Sequence, residues 1–390
     1  MKILITSSRL PHALGEVRKF GEAGHEVYTS DTFHTSPGSH SRYVKQSFIT
    51  ASPTFETAKF IADLQDIIRT QHIDILIPCF EEVFYIAKHI DQLAPLTAVF
   101  CPPFETLARV HNKATFTALT QQLGLPIART KTVTSQAELK AAVAEFPEYF
   151  ARAAFSRGGV ELLTNTGPLA GAVKLDDVQP APDAPWLVSE FIHGKDICSF
   201  SVAQHGKLVA HCTYEHPMTI EHAGGIEFIS VDEPQSVAIA KTYIEALNWH
   251  GQISFDYMKT DKGLYMVECN PRPTAGVFMM EPKDLSAAVF NPAPPTPVVV
   301  KPGVREQIAI AIIRDMFRNP RDIPSDLHEL LTGGRDLYSE GGDALPLLYS
   351  MLSYSHVFAF RHRMHVKKHK HSDLMEAQFF DIAWDGRSIS

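Results

Sequence analysis

The sequence predicts an α/β protein. A doubly wound parallel-sheet domain is expected over residues 1–110, a mixed α+β region over 111–290, and a C-terminal extension over 291–390. Three observations carry this division. Short apolar runs alternate with helical periodicity through the first hundred residues. Longer alternating runs, separated by turn residues, follow from about residue 146. Asn291-Pro-Ala-Pro-Pro-Thr-Pro297 then interrupts the pattern, because so many prolines suit neither a regular helix nor a central strand.

In the first region, residues 3–6 read as a strand, 14–20 as a helix and 26–29 as the next strand. Residues 55–70 have helical spacing, 73–77 form a strand and 83–89 a helix. A dinucleotide-binding fold is the rival for such alternation. It fits poorly, because Ser7-Ser-Arg-Leu-Pro11 replaces the glycines that let backbone approach a pyrophosphate, and Asp31 without them reads as a turn residue. In the second region, His111-Asn-Lys-Ala-Thr-Phe116 opens a helix that Gly124 and Pro126 stop. A short strand lies within 146–160, and two more flank the polar break His193-Gly194-Lys195. Beyond the proline-rich linker, 308–317 reads as an apolar helix, followed by a Gly-rich middle and a tail containing Phe379-Phe-Asp-Ile-Ala-Trp384.

Composition narrows the function classes. With 36 basic and 44 acidic residues the net charge is −8, so no global field recruits nucleic acid or an anionic membrane. Five scattered cysteines without a C-x-x-C pair argue against a disulfide framework or zinc site, and for a reducing cytoplasm. No signal-type apolar segment and no uncharged run long enough to span a bilayer is present.

The most informative run is Tyr265-Met-Val-Glu-Cys-Asn-Pro-Arg272. It reads as a covered strand that ends in a carboxylate, an amide and a guanidinium, with Pro271 forcing the chain out of the ladder. Glu268 and Asn270 are two residues apart and share a strand face. Two hard oxygen donors on one face suit Mg²⁺ completed by phosphate oxygens, and Arg272 adds a fork for a phosphate or carboxylate. Ile253-Ser-Phe-Asp-Tyr-Met258 is the preceding strand, and Lys259-Thr-Asp-Lys-Gly263 carries turn residues. A hairpin there sets Asp256 beside Glu268. Carboxylates that close repel, and a cation or a shared proton keeps them together.

The pattern from Gly251-Gln-Ile-Ser-Phe-Asp-Tyr to Glu268-Cys-Asn-Pro-Arg272 resembles the metal-binding hairpin of the ATP-grasp superfamily. Further matches occur in the same order along 111–285. Lys113 stands where relatives place a phosphate-contacting cation. Arg152, in Phe150-Ala-Arg-Ala-Ala154, takes the slot that usually holds Lys followed by Pro and that is Arg in the large chain of carbamoyl-phosphate synthetase. Ser156-Arg-Gly-Gly-Val160 supplies small residues and backbone N–H groups for a triphosphate, with Ser156, Gly158 and Gly159 as candidates. Val188-Ser-Glu-Phe-Ile-His-Gly-Lys-Asp196 is similar to the linker that reads adenine, which implies Glu190, Phe191 and Ile192 against the purine and Asp196 on the ribose. By the same resemblance Asp256, Glu268 and Asn270 hold the metal. Ser254 occupies a position on the same face where many relatives carry an acidic ligand.

Several signals are weaker. Glu81 and Glu82 follow a strand at the carboxyl edge of the parallel sheet, where they serve either a substrate amine or a helix N-terminus. Glu221 and His222, with His216 nearby, flank Ala223-Gly-Gly225 in what reads as a substrate-side or plain surface loop. Arg361-His-Arg-Met-His-Val-Lys-Lys-His-Lys-His371 reads as a solvated basic face. His365 and His369 have ligand spacing, but the lysines beside them repel a cation.

The resemblance implies a ligase using ATP and Mg²⁺ (or Mn²⁺) to join a carboxylate to an amine through an acyl phosphate, with Arg272 as the catalytic residue. The expected partners are small-molecule carboxylate and amine substrates, with no nucleic acid, no membrane and a homodimer left open. Two other readings stand beside it. One is an enzyme of the carboxyphosphate or carbamoyl-phosphate type, the other a regulatory module that binds ATP without turnover.

Overall fold

The computed structural model describes residues 1–156, 162–220, 224–318, 323–353, 355–364 and 377–389. Gly158, Gly159, Glu221, His222, His365 and His369 lie outside these ranges.

Strand β1 (Lys2–Ile5) shows why the first region is doubly wound. Ile3 and Ile5 point into one apolar cluster with Ala13, Val17 and Phe20 of α1 (Pro11–Glu22). Leu4 points the other way, into a cluster with Phe60, Ile61 and Leu64 of α2 (Thr57–Gln71). Period-two alternation therefore buries both faces and needs helices on both sides. Around β1 lie β2 (Glu26–Asp31), β3 (Val44–Ile49), β4 (Ile75–Ile77) and β5 (Ala98–Val99), all parallel, in the order β3-β2-β1-β4-β5. Helices α3 (Glu82–Lys88), α4 (Ile90–Leu93) and α5 (Phe104–His111) complete the domain. Ser7 takes a left-handed backbone (φ 53°) at the turn after β1. Asp31 belongs to an ion pair, its Oδ1 accepting from Arg9 Nη2 at 2.5 Å.

Helix α6 (Lys113–Gln122) starts where Asn112 Oδ1 accepts the Ala114 N–H at 2.9 Å, and ends at Gly124, whose φ of 67° only glycine adopts cheaply. Next comes a small antiparallel sheet with its own core of Val133, Leu139, Ala151, Leu163, Trp186 and Val188. It contains β6 (Thr130–Val133), β7 (Tyr149–Ala153), β8 (Leu162–Thr164) and β9 (Trp186–Glu190) in the order β6-β9-β7-β8, with α7 (Gln136–Ala144) against it.

The largest sheet is built on β10 (Lys195–Gln204) and β11 (Lys207–Glu215). The short pair β12 (Thr219–Ile220) and β13 (Gly224–Gly225) stands apart, and β14 (Glu227–Ser230) rejoins the sheet. After α8 (Pro234–Ala246), β15 (Gly251–Thr260) and β16 (Gly263–Asn270) form the expected hairpin at one edge, and α9 (Pro282–Phe290) follows. The linker 291–297 carries no regular element, yet the sheet continues beyond it. Strands β17 (Val298–Val299), β18 (Arg305–Gln307) and β19 (Arg335–Asp336) extend it to the order β16-β15-β10-β11-β14-β18-β19, with β17 on β11.

The C-terminal segment also returns to the first domain. Arg18 Nε reaches Asp343 Oδ2 at 2.9 Å, and Arg9 Nη1 reaches Asp381 Oδ1 at 2.7 Å, both in buried pairs. The three regions thus share one set of interfaces. Among the described residues, no helix is long and apolar enough to cross a membrane.

Candidate active site

The hairpin β15–β16 sets Asp256 directly opposite Glu268 and Ser254 opposite Asn270. A register shift after Asp256 leaves Val267 without a cross-strand partner, and its carbonyl accepts from Arg152 Nη2 at 2.5 Å. The bulge therefore draws β7 and its arginine onto the end of the hairpin. Arg152 Nη1 also donates to Glu268 Oε2 at 3.0 Å. Lys113, the first residue of α6, places Nζ 3.5 Å from the same oxygen and donates to Ser156 O at 2.6 Å. Two cations from separate elements thus converge on one carboxylate oxygen.

Electrostatics separates the two acids. Burial pushes the Asp256 carboxyl well above its ordinary range, and repulsion from Glu268 adds to this. Burial also works against ionised Glu268, but Lys113 and Arg152 outweigh it and hold that carboxyl below its usual range. Lys113 is itself depressed by burial, against the attraction of Glu268. Positive charge is concentrated on Glu268, while Asp256 stands beside it with an amide for company: Asn270 Nδ2 donates to Asp256 Oδ2 at 3.1 Å.

Asn270 Oδ1 accepts from Arg272 Nη2 at 3.1 Å, so in this arrangement the amide bridges carboxylate and guanidinium. The guanidinium lies 4.5 Å over the ring of Phe80, at the end of the parallel sheet. Ser254 Oγ donates to Arg272 O at 2.9 Å and accepts from Thr274 Oγ1, which in turn accepts from the Tyr214 hydroxyl. This chain of hydroxyls holds the backbone that presents Arg272.

A cavity of about 590 Å³ runs from Arg152, Asp256 and Glu268 to the linker at Glu190, Phe191 and Ile192. Ser156 and Asp196 also line it, whereas Lys113, Asn270 and Arg272 are not among its lining residues. Glu190 uses its side chain structurally, accepting from Arg129 N and Nε at 2.9 and 2.7 Å. The metal candidates form an all-oxygen set of two carboxylates and an amide. Among the described residues, no group of three His, Cys, Asp or Glu is placed to hold a metal. The opposed, unequally ionised carboxyls fit a hard divalent cation, because one relieves their repulsion.

Glu81 and Glu82 do not face this cavity. Glu81 is buried and accepts the Trp384 N–H at 2.9 Å, with His111 Nε2 3.9 Å from its other oxygen. Glu82 Oε1 accepts from Thr6 Oγ1 and from the Cys79 and Phe80 N–H groups. These acids accept backbone N–H groups at the end of the sheet. Sequence reading missed Phe80, Cys198 and Tyr214. Register places Cys198 beside Asp256 and Tyr214 beside Cys198, so Glu268, Asp256, Cys198 and Tyr214 form one row across four strands. Nothing local in the sequence shows that row. Phe80 was legible only as the neighbour of the two glutamates.

Residues 133–276 match the family model of the ATP-grasp domain. The chain carries an ATP-grasp domain. The match takes in the hairpin, Arg152 and the linker, while Lys113 lies outside it. Solved structures have similar folds over most of this chain. The ADP complex of N5-carboxyaminoimidazole ribonucleotide synthetase superposes with a TM-score of 0.59 at 17% identity, over 82% of this chain and 84% of that one. Phosphoribosylamine–glycine ligase from Thermotoga maritima gives 0.58 at 16% identity, over 78% of each chain. Biotin carboxylase from Campylobacter jejuni, as a β-γ-ATP complex, gives 0.58 at 14%, over 75% and 72%. At these identities the likeness is one of fold. At 75–82% of this chain it extends beyond the matched residues 133–276.

Proposed function

We propose that the protein is an ATP- and Mg²⁺-dependent ligase that joins a carboxylate to an amine. The observation that carries this reading is the convergence of Lys113 and Arg152 on Glu268 Oε2, beside the opposed Asp256, where Arg152, Asp256 and Glu268 line a cavity continuous with the Glu190–Ile192 linker. The arrangement concentrates cations where a triphosphate's charge would lie. Similar folds in a synthetase bound to ADP, a phosphoribosylamine–glycine ligase and a biotin carboxylase–β-γ-ATP complex support it.

Glu190 and Phe191 give their N–H groups to Arg129 O and Glu148 O, so Ile192 is the linker residue that reads the purine edge. Asp196 takes the ribose. Arg152, Lys113 and Ser156 bind the phosphates, with Gly158 and Gly159 beside them in sequence. Glu268 and Asp256 hold Mg²⁺, and Asn270 joins them when its amide turns its oxygen away from Arg272. The metal supplies charge neutralisation at the phosphates.

A carboxylate is a poor electrophile. Transfer of the γ-phosphoryl group to it releases ADP and gives an acyl phosphate. Attack by the amine then expels phosphate and forms the C–N bond. Charge grows on the transferred group and on the carbonyl oxygen during attack, and Arg272 stands at the hairpin end to stabilise both. The Phe80 ring and the Ser254–Thr274–Tyr214 hydroxyls fix its position. No protein nucleophile is needed.

The test is ADP release by the purified protein, screened over amino acids and small carboxylates in pairs. The ligase reading expects release that depends on both members of a pair. Bicarbonate-dependent release without an organic acid identifies the carboxyphosphate type instead. Nucleotide binding with no release under any pair identifies a regulatory module.

A further inference from the structure

The chain's end reaches both sides of this site. Phe379 stacks on Phe80 at 4.7 Å and 18°, and Phe80 carries the Arg272 guanidinium on its ring. Five residues later, Trp384 packs on Phe84, Phe104, His111 and Phe155, with ring centroids 4.5 to 6.0 Å apart. Phe155 immediately precedes Ser156, whose carbonyl holds Lys113 Nζ. Gly386 lies so close to Phe155 that a Cβ there would come within 2.5 Å of the ring, and its φ is +90°. The tail is thus fitted against the residue that leads into the phosphate-side contact.

The tail is firmly anchored. Asp381 pairs with Arg9 at 2.7 Å and its carbonyl accepts from Ser52 Oγ at 2.7 Å. Ala383 O accepts from Thr54 Oγ1 and the Tyr85 hydroxyl, both at 3.0 Å. The Trp384 N–H goes to Glu81, and its indole Nε1 donates to Arg387 O at 2.7 Å. A segment serving only to fill the core needs none of the two-sided contact with Phe80 and Phe155. We infer that residues 379–386 form a clasp that positions the two working halves of the site, Phe379 acting through Phe80 on Arg272, and Trp384 with Gly386 acting through Phe155 on Ser156 and Lys113. Phe379 and Trp384 are positioning residues in this scheme, which rests on the ligase reading of the same site.

The two arms predict opposite kinetic signatures, which a purely structural role does not produce. Full-length variants are titrated with Mg-ATP by calorimetry and assayed for ADP release with the best substrate pair, and their melting temperatures are recorded. Gly386→Ala pushes on Phe155 from the chain's end and leaves the indole in place. It is expected to weaken Mg-ATP by about fivefold or more with kcat little changed. Trp384→Ala should weaken it by about tenfold, and Trp384→Phe, which keeps an aromatic plate, should recover most of that loss. Phe379→Ala should lower kcat by about tenfold and leave Mg-ATP affinity near wild type, because it loosens only the Arg272 side. If Trp384→Ala does not fold, Gly386→Ala and Trp384→Phe decide the phosphate-side arm. Wild-type affinity in a folded Gly386→Ala overturns that arm. Equal changes in both parameters, tracking lost stability, overturn the clasp altogether. Failure of the wild type itself to bind Mg-ATP would instead remove the ligase reading.

Discussion

The clusters of Arg with carboxylates around Arg9 and around Glu268 differ in how fully their charges are matched. Around Arg9, one guanidinium meets two aspartates, Asp31 and Asp381, all with side chains between 1% and 6% exposed. Thr32, the Arg9 backbone N–H and Ser8 add donors to the carboxylates, so donors and acceptors are matched. Around Glu268 the balance is broken. Two cations share a single oxygen, the next carboxyl meets Asn270, Cys198 and Glu268 itself, and Glu268 is 25% exposed at a cavity of about 590 Å³. The first cluster is closed and complete. The second has ionic capacity left over and a way in, which a charged ligand is needed to use.

Glu268→Gln breaks the second cluster most directly. It keeps the shape but removes half of the carboxylate complement, and it is expected to fold while losing nearly all ADP release, by roughly a thousandfold or more. Circular dichroism and the ADP-release assay check this, and near-wild-type turnover would sink the metal assignment. Arg272→Ala should lower kcat by roughly a hundredfold or more while weakening ATP far less, because its benefit appears in the transition state. Arg272→Lys should rescue little, since one ammonium cannot reproduce the fork. An increase confined to the KM for ATP would make Arg272 a ground-state binder.

The first cluster gives the opposite pattern. Asp31→Ala leaves part of a buried guanidinium uncompensated and should cost about 3–5 kcal/mol in urea unfolding, with no change in Mg-ATP affinity of the folded fraction. A matching loss of affinity would erase the distinction between the clusters. A smaller effect concerns Glu16, fully buried at the same end of the parallel sheet and pushed up by burial to about 8. Its folded value is raised, so its contribution is complete below the ordinary carboxyl range and is lost as pH rises towards about 8. Glu16→Gln should match wild type at pH ~4 and exceed it by roughly 2 kcal/mol or more at pH ~8.5. Equal pH profiles for the two proteins would contradict this.

The sequence disclosed these regions unequally, for physical reasons. Period-two and helical spacing located β1, β2, α1, α2 and the β15–β16 hairpin within a few residues, because those patterns are local consequences of burial. Asp256, Glu268, Asn270 and Arg272 were legible because one hairpin brings them together from a short stretch. The row through Cys198 and Tyr214 depends on register between strands far apart in sequence, and no local pattern encodes it. Glu81 and Glu82 suit either binding or a helix N-terminus in the sequence, the second somewhat better. Only the arrival of Trp384 and the turn at Cys79 showed that backbone groups occupy them. The C-terminal tail reads from the sequence as an unmatched extension, since Arg9, Phe80, Glu81 and Phe155, on which it docks, lie more than two hundred residues away.

The central claim is that the Glu268 cluster is built for a metal-bound triphosphate. Calorimetric titration of the full chain with ATP, in excess Mg²⁺ and again in excess EDTA, tests it most directly. The account predicts saturable one-to-one binding with Mg²⁺, at least about tenfold weaker binding in EDTA, and a melting temperature that rises with Mg-ATP. No heat and an unchanged melting curve at millimolar Mg-ATP would contradict it.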